Sequence, residues 1–223
     1  MDYQEQQQLT IPIVKIYQEI EDQMLTNVAK KLKKDKSLLT GDGYSWQVKK
    51  LAELDSLTQE NVKDIAKKSE LAIDEVSKAL EEAGYSTVRG MEDDLKEAVR
   101  RGKAIKAPEI AESQALGDIL LTYQRQAKDV LNLTNTTLLD QSKMAYRNII
   151  ENAVGKVATG NISGTQALRE VTREWAKKGI PAMVDRAGKR WSAEAYVSMV
   201  LRTMNNNIAN DMQMARMDEH EID

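Results

Sequence analysis

Two groups of cations carry the residue types and spacing most suited to chemistry. Lys30, Lys31, Lys33, Lys34 and Lys36 set five lysines against one aspartate, Asp35, within seven residues. Lys177 and Lys178, followed by Arg186, Lys189 and Arg190, form a second group near Trp175 and Trp191. Cations this closely spaced neutralise phosphates and release counterions, an interaction that depends on salt and ignores base sequence. The same residues also read as a solvated helix end and a polar loop, because the whole chain carries a net charge of −3.

Other constellations lead away from catalysis. Gly160-Asn161-Ile162-Ser163-Gly164 has the wrong spacing for a G-x-S-x-G nucleophile elbow. Ser163-Gly164-Thr165-Gln166 fits a helix capping box instead. Asp218, Glu219, His220, Glu221 and Asp223 gather oxygen ligands of the kind calcium or magnesium takes. They lack EF-hand spacing and an ordering glycine, so they read as a solvated, frayed end. With no cysteine, thiolate zinc sites, iron–sulfur clusters and disulfides are excluded. With His220 as the single histidine, a histidine metal pair is excluded too, and its place near the end suits no preorganised triad. The chain therefore reads as a non-enzyme with no metal and no cofactor.

The elements that must position these groups are helical. The 223 residues include no phenylalanine and 4% aromatics, so Leu, Ile, Val, Ala and Met must fill the core, which suits helices better than sheets. No apolar run approaches the roughly 18–20 residues of a membrane span. The polar start, Met1-Asp2-Tyr3-Gln4, does not read as a signal peptide. The expected fold is mostly α: a multi-helix bundle with two or three long helices and a small loop or hairpin near 180–191.

Three regions are expected. Residues 1–10, with four glutamines, form a flexible polar arm. Residues 11–103 form an N-terminal helical region. There Ile13, Ile16, Tyr17, Ile20, Met24, Val28 and Leu32 make one stripe, with Pro12 in the first turn. Short helices follow over 45–101: Ser45 and Thr58 act as caps, Val62, Ile65 and Ala66 point inward, and Gly84 closes a helix as a C′ glycine. The best internal boundary is Ala104 to Pro108. Residues 109–223 hold the long helices. Leu116, Leu120, Tyr123, Ala127 and Val130 line one, the polar run Asn132–Thr137 breaks or caps it, and Ala145, Ile149 and Ala153 line the return. A last helix from Ser192 carries Met204, Met212, Met214 and Met217, read as core filler or an adaptable docking face. It also carries Asn205-Asn206-Asn207, which are placed to make interhelical hydrogen bonds.

Three stretches resemble the phage minor capsid protein 2 family of tailed phages and prophages. They are WQVKKLAELDSLTQENVKDIAKKS (Trp46–Ser69), LNLTNTT (Leu131–Thr137) and the segment from Gly179, GIPAMVDRAGKRWSAEAYVSMVLRTMNNNIANDMQMARMDEHEID. The elements GIPA, AGKRWS, EAYV, RT and ARMDE fall in the family's order, and the resemblance spans roughly residues 10–223. It implies a structural minor head protein inside the capsid, associated with the portal and present in a few copies per virion. Such a protein supports head assembly and genome packaging or ejection. The implied partners are the portal protein or inner capsid surface, and phage DNA, with no membrane. Synthesis would take place in the host bacterial cytoplasm. The alternative is a non-specific DNA-contacting protein that accompanies or secures the genome. His220 and Glu221 depart from the family pattern, which carries an aromatic and a glycine there. Family members also continue beyond ARMDE, so the chain is expected to correspond to an N-terminal portion.

Overall fold

The computed structural model describes residues 3–34, 43–159, 162–184 and 187–222. Along the chain come α1 (Tyr3–Lys33), α2 (Gly43–Ala52), α3 (Leu54–Arg100), a 3-10 turn (Ile110–Glu112), α4 (Gln114–Ala158), α5 (Gly164–Lys178), β1 (Pro181–Val184), β2 (Arg190–Ser192) and α6 (Ala193–Glu219). The mostly helical bundle expected from composition is what forms. The hairpin near 180–191 is also present: β1 and β2 pair antiparallel, with Met183 opposite Trp191 and a register shift between Pro181 and Met183.

The helices are longer than their sequence punctuation suggests. Over 45–101 the expected series of short helices is replaced by α2 and one 47-residue helix, α3. Gly84 does not cap a helix. It sits inside α3, where an added Cβ would lie 2.3 Å from Met212 Sδ of α6. The glycine serves close helix approach, and Ala79, Leu80, Ala83 and Val88 carry the buried stripe past it. Thr58 is likewise interior, its hydroxyl donating to the Leu54 carbonyl at 2.8 Å. The facing of α3 also differs: Val62 and Ala66 are exposed, and Asn61 takes the buried position. The loose arm expected over residues 1–10 is helical from Tyr3, with Thr10 buried, which puts Pro12 inside α1. Similarly, 132–137 does not interrupt α4, which runs unbroken for 45 residues. Its polar residues serve tertiary hydrogen bonds: Asn135 Oδ1 accepts from Tyr17 OH at 3.1 Å, and its Nδ2 donates to Ser69 Oγ at 3.2 Å.

Two compact units form, each from separated stretches of chain. Unit 1 comprises Met1–Lys15, Glu70–Asn132 and Val197–Asp223; unit 2 comprises Ile16–Ser69 and Leu133–Tyr196. Residues 104–108 fall within unit 1. Helices α1, α3 and α4 each supply residues to both units.

The core of unit 2 joins Val28 and Leu32 of α1, Trp46 of α2, Leu54 and Leu57 of α3, Tyr146, Ile149 and Ile150 of α4, and Ala167 and Val171 of α5. Ser163 caps α5, accepting from the Gln166 N–H as its spacing predicts. The Gln166 side chain does not reach back to close the box; it donates to Glu170. Gly179 then turns the chain at φ 65°, a conformation that favours glycine. Unit 1 buries Val76, Leu80, Ala83, Leu95, Leu116 and Leu131. The buried face of α6 there is Val197, Leu201, Asn205, Ile208, Met212 and Arg216, at helical steps of three and four.

Candidate functional site

Both cationic groups belong to unit 2. In the first, Lys30, Lys33 and Lys34 are exposed at the end of α1, where positive charge also suits the negative pole of the helix. Lys31 is committed to the fold: its ammonium meets Glu60 at 3.1 Å and Ser56 Oγ at 2.9 Å. Lys36 lies outside the described residues.

The second group converges on a groove of about 280 Å³ between α4, α5 and β2. Lys178 and Arg190 line it together with Trp175 and the amides Gln141, Asn148 and Asn152. Trp175 is half-buried and packs against the unit 2 core, which holds its indole as a fixed wall. Glu174 also lines the groove, but Lys156 engages it at 3.7 Å and Glu170 at 3.2 Å. Among the described residues no carboxylate pairs with Lys178 or Arg190. Lys177 is exposed, and Lys189 lies 3.9 Å from the centre of the Trp191 ring. Arg186 lies outside the described residues. The structure thus brings Lys178, Arg190 and Trp175 to one place.

Several buried polar groups escaped the sequence reading. Lys50 is wholly buried; its ammonium donates to the Lys31 carbonyl at 2.7 Å and meets Glu53 at 3.3 Å. It satisfies a last-turn carbonyl that α1 itself leaves open. Asn27 donates to Asn61 and Asp64 at 3.0 and 2.7 Å, and Asn61 donates to Ser142 Oγ at 3.1 Å, a chain through α1, α3 and α4. Glu21 accepts from the Ile180 N–H at 2.8 Å. Burial raises its carboxyl above the ordinary range; the Ile180 bond opposes this and Glu194 adds to it. The signal available for such groups is a polar residue on an apolar stripe, which sequence alone does not separate from an exposed one.

The frayed end expected over 218–223 is a correction. In unit 1, Arg216 meets Glu92 at 2.7 Å, Glu219 at 2.8 Å and the Pro108 carbonyl at 2.8 Å. Desolvation works against its charge, but Glu92 and Glu219 outweigh it and hold the guanidinium protonated. Ser113 donates to Glu219 at 2.6 Å and caps α4 by accepting from the Leu116 N–H. His220 and Ile105 pair twice: the Ile105 N–H donates to the His220 carbonyl at 3.0 Å, and His220 Nδ1 lies 2.8 Å from the Ile105 carbonyl. Charge pairing, rather than apolar burial, orders this end. Among the described residues no group of three or more His, Cys, Asp or Glu is arranged to hold a metal, and no helix is long and apolar enough to cross a membrane.

Comparison with known proteins gives a consistent answer. The chain is 25% identical over 183 residues to a protein named "Structural protein" from Lactococcus phage LL-H, covering 78% of this chain and 48% of that one. The chain therefore spans about half the length of the curated relative it matches. No solved structure matches it. The family model for phage minor capsid protein 2 matches residues 2–223. On that match over nearly the whole chain, the protein belongs to the phage minor capsid protein 2 family and is a structural component of a phage virion.

Proposed function

We propose that this protein works inside the phage head at the portal, docking by helical surfaces on the portal or inner shell and supporting head assembly and genome packaging or ejection. The observation that carries this reading is the family match over residues 2–223. The exposed surfaces are consistent with it: Tyr44 and Val48 lie on one face of α2, and Leu133 and Met144 are exposed on α4. Exposed apolar side chains of this kind gain from a partner that removes them from water. Mass spectrometry of purified proheads and mature heads is expected to find the chain in both, and a head map is expected to show helical density beside the portal. Density confined to the outer shell, or absence from both particles, would overturn the reading.

The second reading is direct, sequence-blind contact with DNA, favoured by the exposed Lys30, Lys33 and Lys34 and by the second cluster, with Lys177 and Lys189. Duplex binding should weaken steeply with salt. Replacing Lys30, Lys31, Lys33 and Lys34 by Ala should lower affinity alike for all sequences and flatten the salt dependence. Undetectable binding at low salt, or binding indifferent to the four substitutions, would remove Lys30–Lys34 as a DNA contact.

A further inference from the structure

We propose that the groove between α4, α5 and β2 binds single-stranded nucleic acid, with a base stacked on Trp175 and the adjoining phosphates held by Lys178 and Arg190. This deepens the nucleic-acid reading of unit 2 and is independent of where the protein sits in the virion. A bare cationic surface attracts any duplex. This groove adds two features that a duplex, with its bases already paired and stacked, does not use.

The first is the indole. Trp175 packs on the core cluster and also lines the groove, so a stacking partner loses little freedom in finding it. Aromatic side chains fixed in this way bind successive bases of single strands without regard to sequence. The second is the amide row. Gln141, Asn148 and Asn152 lie on one side of α4, at spacings of seven and four that return to the same helix face. Carboxamides offer both donors and acceptors, matching the mixed edges of an unpaired base. Asn152 already spends an amide hydrogen on the Asn148 carbonyl at 2.7 Å, which leaves its oxygen as the acceptor facing outward bonds.

Charge selects the same ligand. Lys178 and Arg190 have no carboxylate partner among the described residues, while Glu174 is drawn toward Lys156 at 3.7 Å. The groove therefore favours an anion. An acidic polypeptide would satisfy the two cations but make no call on the indole or the amide row. A nucleotide engages all three.

The test uses the full chain and fluorescence anisotropy with labelled oligothymidylate, a duplex of the same length, and polyglutamate as competitor. Single strand should bind more tightly than duplex. Trp175→Leu should weaken single-strand binding by about 5- to 100-fold, the range expected for one lost stacking contact, and leave duplex binding unchanged. Lys178→Ala with Arg190→Ala, both exposed positions, should weaken single-strand binding and reduce its salt slope by about two counterions. Should Trp175→Leu unfold the chain by circular dichroism, Trp175→Phe keeps a smaller stacking face and should give a partial loss. Equal affinity for single strand and duplex, with no response to Trp175, would overturn the proposal while leaving duplex contact by Lys30, Lys33 and Lys34 intact. Displacement by polyglutamate at matched charge concentration would overturn it in favour of an acidic protein partner.

Discussion

Glu21 shows how a single side chain can fasten a turn and carry a cost. Its carboxylate accepts the Ile180 N–H just after Gly179, and an added Cβ at Gly179 would lie 2.9 Å from the same oxygen. Burial nevertheless disfavours the charged form, so its folded-state pKa is raised above the unfolded value. The contribution to stability is thus complete below the ordinary glutamate range and is lost as pH rises through the raised value. Glu21→Gln keeps an oxygen for the Ile180 N–H and removes the desolvated charge. Its melting temperature should match or exceed wild type at neutral pH and lose the decline seen in wild type on going up from acidic pH. Glu21→Ala, which strands the N–H, should melt lower at every pH. A Gln variant that melts lower than wild type at neutral pH would show that the charge itself is needed. Gly84 poses the opposite problem, too little room. Gly84→Ala drives a Cβ toward Met212, which is completely buried, and should cost about 1–3 kcal/mol in chemical denaturation. Met212→Val, which shortens that side chain, should recover part of the loss when combined with it.

At the scale of elements, the sequence conveyed periodicity well and termination poorly. The stripe Ile13, Tyr17, Ile20, Met24, Val28 and Leu32 is buried throughout, and the hairpin falls where Pro181 and Gly188 interrupt the helical pattern. Gly84 and Asn132–Thr137 carry the local signals of helix ends but lie inside α3 and α4. Tertiary partners account for both: Met212 against Gly84, and Tyr17 and Ser69 with Asn135. Such partners are distant in sequence, so local propensity does not report them. The candidate site follows the same rule. Lys178, Arg190 and Trp175 were legible as a cluster, whereas the amide row on α4 that completes the groove depends on how α4 and α5 pack. The end of α6 gives the element-scale prediction. Arg216 is nearly inaccessible to water, and Glu92 and Glu219 are mostly buried beside it. Arg216→Ala leaves two carboxylates without their cation and should cost about 3–5 kcal/mol. Hydrogen exchange should accelerate at the Ile105 and His220 amides before it does at Leu80. An unchanged rate at those two amides would mean that the Ile105–His220 pairing holds this end without Arg216.

At the scale of the molecule, the net charge of −3 conceals a segregation that the fold keeps. The lysines of 30–34 and the groove cations belong to unit 2, while the acidic residues of 218–222 belong to unit 1. A partner reads these separate surfaces rather than their sum. The connectivity sets how such surfaces are held. Helices α1, α3 and α4 pass from one unit's residues to the other's without interruption, at 15–16, 69–70 and 132–133. A helix interrupted at such a point would lose hydrogen bonds on both sides, so neither unit has a stretch of chain that melts without exposing helix ends in the other. Unfolding should therefore be a single cooperative transition despite the division into two units. The calorimetric and van't Hoff enthalpies should agree, and the fluorescence of Trp46, Trp175 and Trp191, all in unit 2, should change together with far-ultraviolet circular dichroism. Two resolved transitions, with the tryptophan signal following only one, would show that the shared helices break near those three points under thermal stress. In that case the two units would be separately stable pieces joined by long helices, and the cationic surfaces of unit 2 would be free to act without unit 1.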